Sequence, residues 1–92
     1  MNKAEVLGSE VLLDVTDELV SATSVYGPMT TAHEGYAVIL EEVDELKAEV
    51  WKKHKDPARM REEAIQIAAM AMRFVIDICD KNPAINLNAN DL

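Results

Sequence analysis

Apolar residues recur along this chain at helical spacing, in three separate runs. Val11, Val15, Leu19, Ala22 and Tyr26 are four, four, three and four residues apart, so they fall on one side of a helix, and Leu12 widens the stripe. Gly8 leaves the preceding turn open, so the firm part of this first helix starts near Ser9, a residue that also suits the N-cap. Tyr26-Gly27-Pro28 predicts its stop, with a glycine for a left-handed C-terminal residue and a proline that cannot continue the helix.

Thr31-Ala32-His33-Glu34 has the form of a capping box, in which the threonine hydroxyl and the glutamate each serve a free backbone N–H, and it opens the second helix. Tyr36, Ile39, Leu40, Val43, Leu46 and Val50 then predict one apolar face, with Glu34, Glu41, Glu42, Glu45 and Glu49 on the opposite side. Lys52 and Lys53 close this helix where its dipole favours cations, and His54 and Lys55 belong to the turn. Asp56 as N-cap and Pro57 at the first helical position start the third helix. From Ala64 onward it is apolar almost all round, its polar residues Glu63, Gln66, Arg73 and Asp77 forming a narrow stripe with Met70 in the gap. A helix with so little polar surface is buried on several sides, and three helices from one chain do not easily bury it. A homodimer or homotetramer that pairs these helices across subunits is therefore expected. Asn82-Pro83 stops the third helix. The expected organisation is one all-α helical domain over 1–81 and a loosely held tail over 82–92.

Composition sharpens this picture. The chain has 92 residues, enough for one small domain. With 49% apolar residues but only one Phe, one Trp and two Tyr, its core must be built from Val, Ile, Leu, Ala and Met. A net charge of −8 argues against direct nucleic-acid binding, which needs a basic surface. The single Cys79, in an apolar run, predicts a buried, reduced thiol. The N-terminus lacks the basic-then-apolar order of a signal peptide. The stretch from Ala64 to Cys79 is broken by Gln66, Arg73 and Asp77 and falls short of the roughly 18–20 apolar residues of a membrane span. A soluble, cytoplasmic protein with no membrane partner is the expectation.

The chemistry concentrates in Glu41-Glu42-Val43-Asp44-Glu45. Residues three and four apart share a helix face, so Glu42 with Glu45, and Glu41 with Glu45, can aim two carboxylates at one point. A solvated acidic face is the plainer reading of such a cluster alone. The next helix changes the balance. An antiparallel hairpin turning near His54 sets Glu45 opposite Glu63 and Glu42 opposite Gln66, which brings three carboxylates and one amide oxygen together. Oxygen donors at that density suit Mg²⁺ or Mn²⁺ and suit zinc or copper poorly.

Glu41-Glu42-Val43-Asp44-Glu45, followed by Glu62-Glu63-Ala64-Ile65-Gln66, resembles the all-α nucleoside triphosphate pyrophosphohydrolases, the MazG-like proteins and their relatives the dimeric dUTPases. Their signature is E-E-x-x-E, then E-x-x-D. The first half matches in full, Glu63 matches the second glutamate, and Gln66 stands where the family has its aspartate. The stretch from Ala32-His33-Glu34-Gly35-Tyr36 through Phe74 is also similar to short MazG-like proteins of bacteria and their phages. The resemblance implies cleavage of a nucleoside triphosphate between its α and β phosphates, giving a monophosphate and pyrophosphate. Glu42, Glu45 and Glu63, with Gln66, would then hold Mg²⁺, and Glu41 or Glu45 would take a proton from the attacking water. A neutral amide at position 66 adds no charge, so weaker metal binding, or the loss of one ion of a pair, is implied. Asp77 lies eleven residues further on, about 16 Å along the helix axis, too far to take its place.

Other residues have competing readings. Lys52, Lys53, Lys55, Arg59 and Arg61 could grip a triphosphate, or serve helix-end electrostatics and solubility. Arg73 could reach phosphates, or pair with Asp77 four residues on, which is the simpler reading. Tyr26 and Trp51 could stack on a base, although each fits an apolar stripe and core packing is the expectation. The enzyme reading competes with a non-catalytic helical interaction protein on the same fold, in which Gln66 marks a degenerate metal site.

Overall fold

The computed structural model describes residues 8–80 together with Asn2 and Glu5. The expected Asn82-Pro83 stop and the tail at 82–92 lie outside them. Among the described residues the chain is all-α. Helix α1 runs over Ser9–Tyr26, α2 over Ala32–Val50 and α3 over Pro57–Phe74, and a π-helical segment, Val75–Asp80, continues α3.

Local chemistry explains each boundary. No side chain caps α1: Gly8, at φ 76°, precedes it and Ser9 is its first residue, not its cap. Gly27 ends α1 at φ 68°, a left-handed value open to glycine, with its N–H on the Thr23 carbonyl at 3.2 Å. The Thr31 hydroxyl accepts from the Glu34 N–H at 3.0 Å, so half of the capping box forms. The other half does not, because the Glu34 carboxylate accepts from the Thr30 hydroxyl instead. Asp56 accepts from the N–H groups of Ala58 and Arg59 at 3.0 and 3.3 Å, with Pro57 first in α3. Such a cap stabilises a helix by about 1 kcal/mol.

Helix α3 packs against both α1 and α2. Val15 and Ala22 of α1, Met29 of the α1–α2 loop, and Ala69 and Met70 of α3 form the buried core, with Leu19, Val38, Ile39, Ile65 and Phe74 packed around it. The burial expected for α3 is thus met in part within the chain. Uncovered apolar residues remain on α3 at Met72, on α1 at Leu13 and Val20, on α2, and beyond α3 at Val75 and Ile76.

The rotation of α2 departs from the sequence expectation. Tyr36 is 62% exposed, and Leu40 and Val43 are exposed as well, whereas Glu49 is buried and Glu42 half-buried. Half of the supposed apolar face therefore points outward while part of the carboxylate face points at α3. Gly35 supplies the reason. A Cβ placed on it would lie 2.6 Å from Phe74 Cδ2 and 3.1 Å from Met29 Sδ, so only a glycine admits this approach. With Gly35 pinned against Phe74, residues seven and fourteen positions on, Glu42 and Glu49, follow onto the same face.

Two side chains clasp the α1–α2 loop. Arg73 donates from Nη2 to the Gly27 carbonyl, and the Asp77 carboxylate accepts from the Met29 N–H at 2.9 Å. The simpler pairing of Arg73 with Asp77 is not among the described ion pairs. Backbone groups freed where one helix ends and the next begins need partners, and these two side chains are spent on them.

Candidate metal centre

Helix α2 contributes Glu42 and Glu45 and α3 contributes Glu63, and one carboxylate oxygen from each lies within 4.8 Å of the other two. The short turn between Trp51 and Asp56 fixes this register. Glu63 is only 6% exposed. Buried oxygens Glu42 Oε2 and Glu63 Oε2 have no hydrogen-bond partner among the described residues. The closest described counter-charge is Arg59, half-exposed, with Nη2 at 3.7 Å from Glu63 Oε1. Buried charge is normally paired, so unpartnered carboxylate oxygens here are costly in the protein alone.

The electrostatics carry the same mark. Burial, then the adjacent Glu45 carboxylate, then the charges of Glu63 and Glu41, push the Glu42 carboxyl up from 4.5 to about 7. Glu63 is also raised, first by burial and then by Glu45, while Arg59 pulls the other way. A donor set made only of carboxylates, with no His or Cys in the group, fits a hard divalent cation.

A pH dependence follows, with a sign that can be worked out. Between 4.5 and about 7 the folded protein holds a proton on Glu42 that the unfolded chain has lost. This group's contribution is therefore fully present below its ordinary value and is lost as pH rises through its folded value. Melts in chelator should show Tm falling between pH 5 and pH 8. A divalent cation, were it bound by the cluster, would offset the fall, most at the alkaline end where the carboxylates are ionised.

Beside the cluster lies a cavity of about 480 Å³, lined by Glu41 and Glu42 of α2, Gln66, Met70 and Arg73 of α3, and Tyr26 at the end of α1. Gln66, Met70 and Arg73 are four and three residues apart, one stripe of α3. The structure thus gathers Glu42, Glu45 and Glu63, and sets Glu41 and Gln66 on the adjoining wall. Lys52 and Lys53 do not line this cavity: Lys52 pairs with Glu49 at 2.8 Å and Lys53 is exposed. Arg61 is taken up by Asp14 of α1 at 2.7 Å, and Arg59 lies 3.3 Å from Glu62.

Core packing does not hold for the two aromatic residues with competing readings. Tyr26 is 78% exposed and Trp51 is exposed too, since both sit at helix ends where no neighbouring helix covers them. Cys79 is half-buried. The acidic residues Glu18 and Glu34 also line the cavity. Glu18 carries no signal in the sequence, and the cap alone accounts for Glu34 there. Gly35 is legible in principle, because a glycine inside a helical pattern marks a close approach. No helix among the described residues is long and apolar enough to cross a membrane. Comparison with known protein families, with curated proteins and with solved structures finds no match to this chain.

Proposed function

We propose that this protein is a Mg²⁺- or Mn²⁺-dependent nucleotide pyrophosphohydrolase that cleaves a (d)NTP to the monophosphate and pyrophosphate. The observation that carries the reading is the meeting of three carboxylates, two with buried unpartnered oxygens, at the edge of a cavity that also holds an arginine. Glu42, Glu45 and Glu63 would hold the ion, with the Gln66 amide oxygen on the adjoining wall. Such an ion would supply positive charge against the triphosphate and lower the pKa of a water. Glu45 or Glu41 accepts the proton as the water oxygen bonds to the α-phosphorus and the bond to the bridging oxygen breaks. Positioning and charge neutralisation supply most of the rate.

The working form is a homo-oligomer acting in the cytoplasm on free nucleotides. Support for self-association is the outward stripe of Tyr36, Leu40 and Val43, which one chain leaves open. Sedimentation should show a dimer or tetramer at micromolar concentration, with Leu40→Glu shifting it to monomer; a folded wild-type monomer would remove this part of the reading. The same stripe supports a second reading, a non-catalytic oligomer whose acidic seam no longer binds metal. A pyrophosphate-release assay over canonical and modified (d)NTPs with Mg²⁺ or Mn²⁺ separates the two. No turnover of any substrate, together with no metal-dependent gain in Tm, leaves only the second.

A further inference from the structure

Arg73 is 4% exposed, and among the described residues no carboxylate pairs with it. Its Nη2 donates to the Gly27 carbonyl, its Nη1 reaches only the Met70 sulfur at 3.5 Å, and its Nε has no partner. A guanidinium carries five N–H donors and a permanent charge, so one carbonyl and one thioether leave most of its capacity unused. A buried charge of this kind is expensive without a counter-ion.

The residue lines the same 480 Å³ cavity as Glu41, Glu42 and Gln66. Positions 66 and 73 are separated by about 10.5 Å along the helix axis. Long side chains on a helix lean back toward its N-terminus, and the Met70 contact shows Arg73 doing so. The guanidinium therefore stands about one helical turn from Gln66. A cation-attracting pair of carboxylates and an anion-attracting arginine on one cavity match a metal-complexed polyphosphate. Glu18 and Glu34 also line this cavity, so an anion without its metal is repelled.

We propose that this cavity is a polyphosphate site in which Arg73 receives the phosphoryl group furthest from the carboxylates, so that the leaving pyrophosphate lies between Arg73 and the ion. The placement rests on the metal-dependent reading of the carboxylate cluster. The guanidinium is a binding and positioning group: it holds the pyrophosphate portion, while the proton transfer belongs to the carboxylates.

The test is calorimetric titration of inorganic pyrophosphate into the full chain, with and without Mg²⁺, alongside circular dichroism to verify folding. Wild type should bind pyrophosphate with Mg²⁺ and much more weakly without it. Arg73→Met should weaken binding about 10- to 150-fold, the range of a hydrogen bond to a charged group, and Arg73→Lys should recover part of the loss. Asp77→Asn, which loosens the same loop without touching the guanidinium, should leave pyrophosphate affinity unchanged and so separates the clasp from the anion contact. Wild-type affinity in both Arg73 variants, or no pyrophosphate binding by wild type, overturns the proposal. Turnover of a nucleoside triphosphate with KM unaltered by Arg73→Lys would remove the anion site and keep the enzyme. Arg73-dependent pyrophosphate binding without turnover would do the reverse.

Discussion

Glu45→Gln is expected to lower Mg²⁺-dependent kcat/KM by about 10²–10⁴-fold, the range for losing a positioned general base, and to shrink the Mg²⁺-induced gain in Tm. Glu63→Gln should lose activity as well, yet it should melt higher than wild type in chelator. The wild-type side chain keeps a buried oxygen unpartnered and a raised proton affinity, which are marks of an unfavourable site in the bare protein. Removing that charge relieves a cost of about 1–3 kcal/mol, and each kcal/mol is worth about 4–8 °C in a domain of this size. Opposite movements of activity and metal-free stability would be hard to produce with an ordinary surface carboxylate. Under the proposed function, Gln66→Asp adds a negative charge to the cavity wall and should preserve or raise activity. If it abolishes turnover instead, the amide has a role of its own.

Gly35→Ala should destabilise the fold by about 1–3 kcal/mol through overpacking, because the added methyl would sit 2.6 Å from the Phe74 ring. Thermal melts check this directly. Phe74→Leu in the same chain should recover part of the loss, since the two residues are in contact and their effects are not additive. The Mg²⁺-induced gain in Tm should shrink too, as a displaced α2 carries Glu42 and Glu45 away from Glu63. An unchanged melt would mean that α2 rotates freely about this contact and that Gly35 does not set its orientation.

Where a boundary depends on one or two residues, the sequence was enough. Gly27-Pro28 acts through its own backbone and Thr31 and Asp56 through side-chain caps within three residues, and all three mark helix ends as expected. The pairing of α2 with α3 was also legible, because a short turn leaves little freedom in register. The inward face of α2 was not. Apolar periodicity favours Tyr36, Leu40 and Val43, and the steric demand of Phe74 on Gly35 outweighs it. Arg73 and Asp77 escape the sequence for a related reason: an i,i+4 partner is visible there, whereas the backbone carbonyl of Gly27 and the N–H of Met29 are not. The meeting of Glu42, Glu45 and Glu63 was legible because all three sit near the turn. Arg73 and Tyr26, which share the cavity, meet only through the tertiary fold.

The clasp on the α1–α2 loop bears on how the molecule comes together. Its two hydrogen bonds join residues 46 and 48 apart in sequence. Closing a segment of that length costs roughly 2 kcal/mol more entropy than closing the short α2–α3 turn. The hairpin with its carboxylates is thus a local structure that can assemble first, and the clasp is a late event and the first to release. Since Gly27, Pro28 and Met29 form one wall of the cavity, the hairpin alone has the acidic cluster but lacks that wall. Opening the clasp would remove that wall while leaving the hairpin and its carboxylates folded.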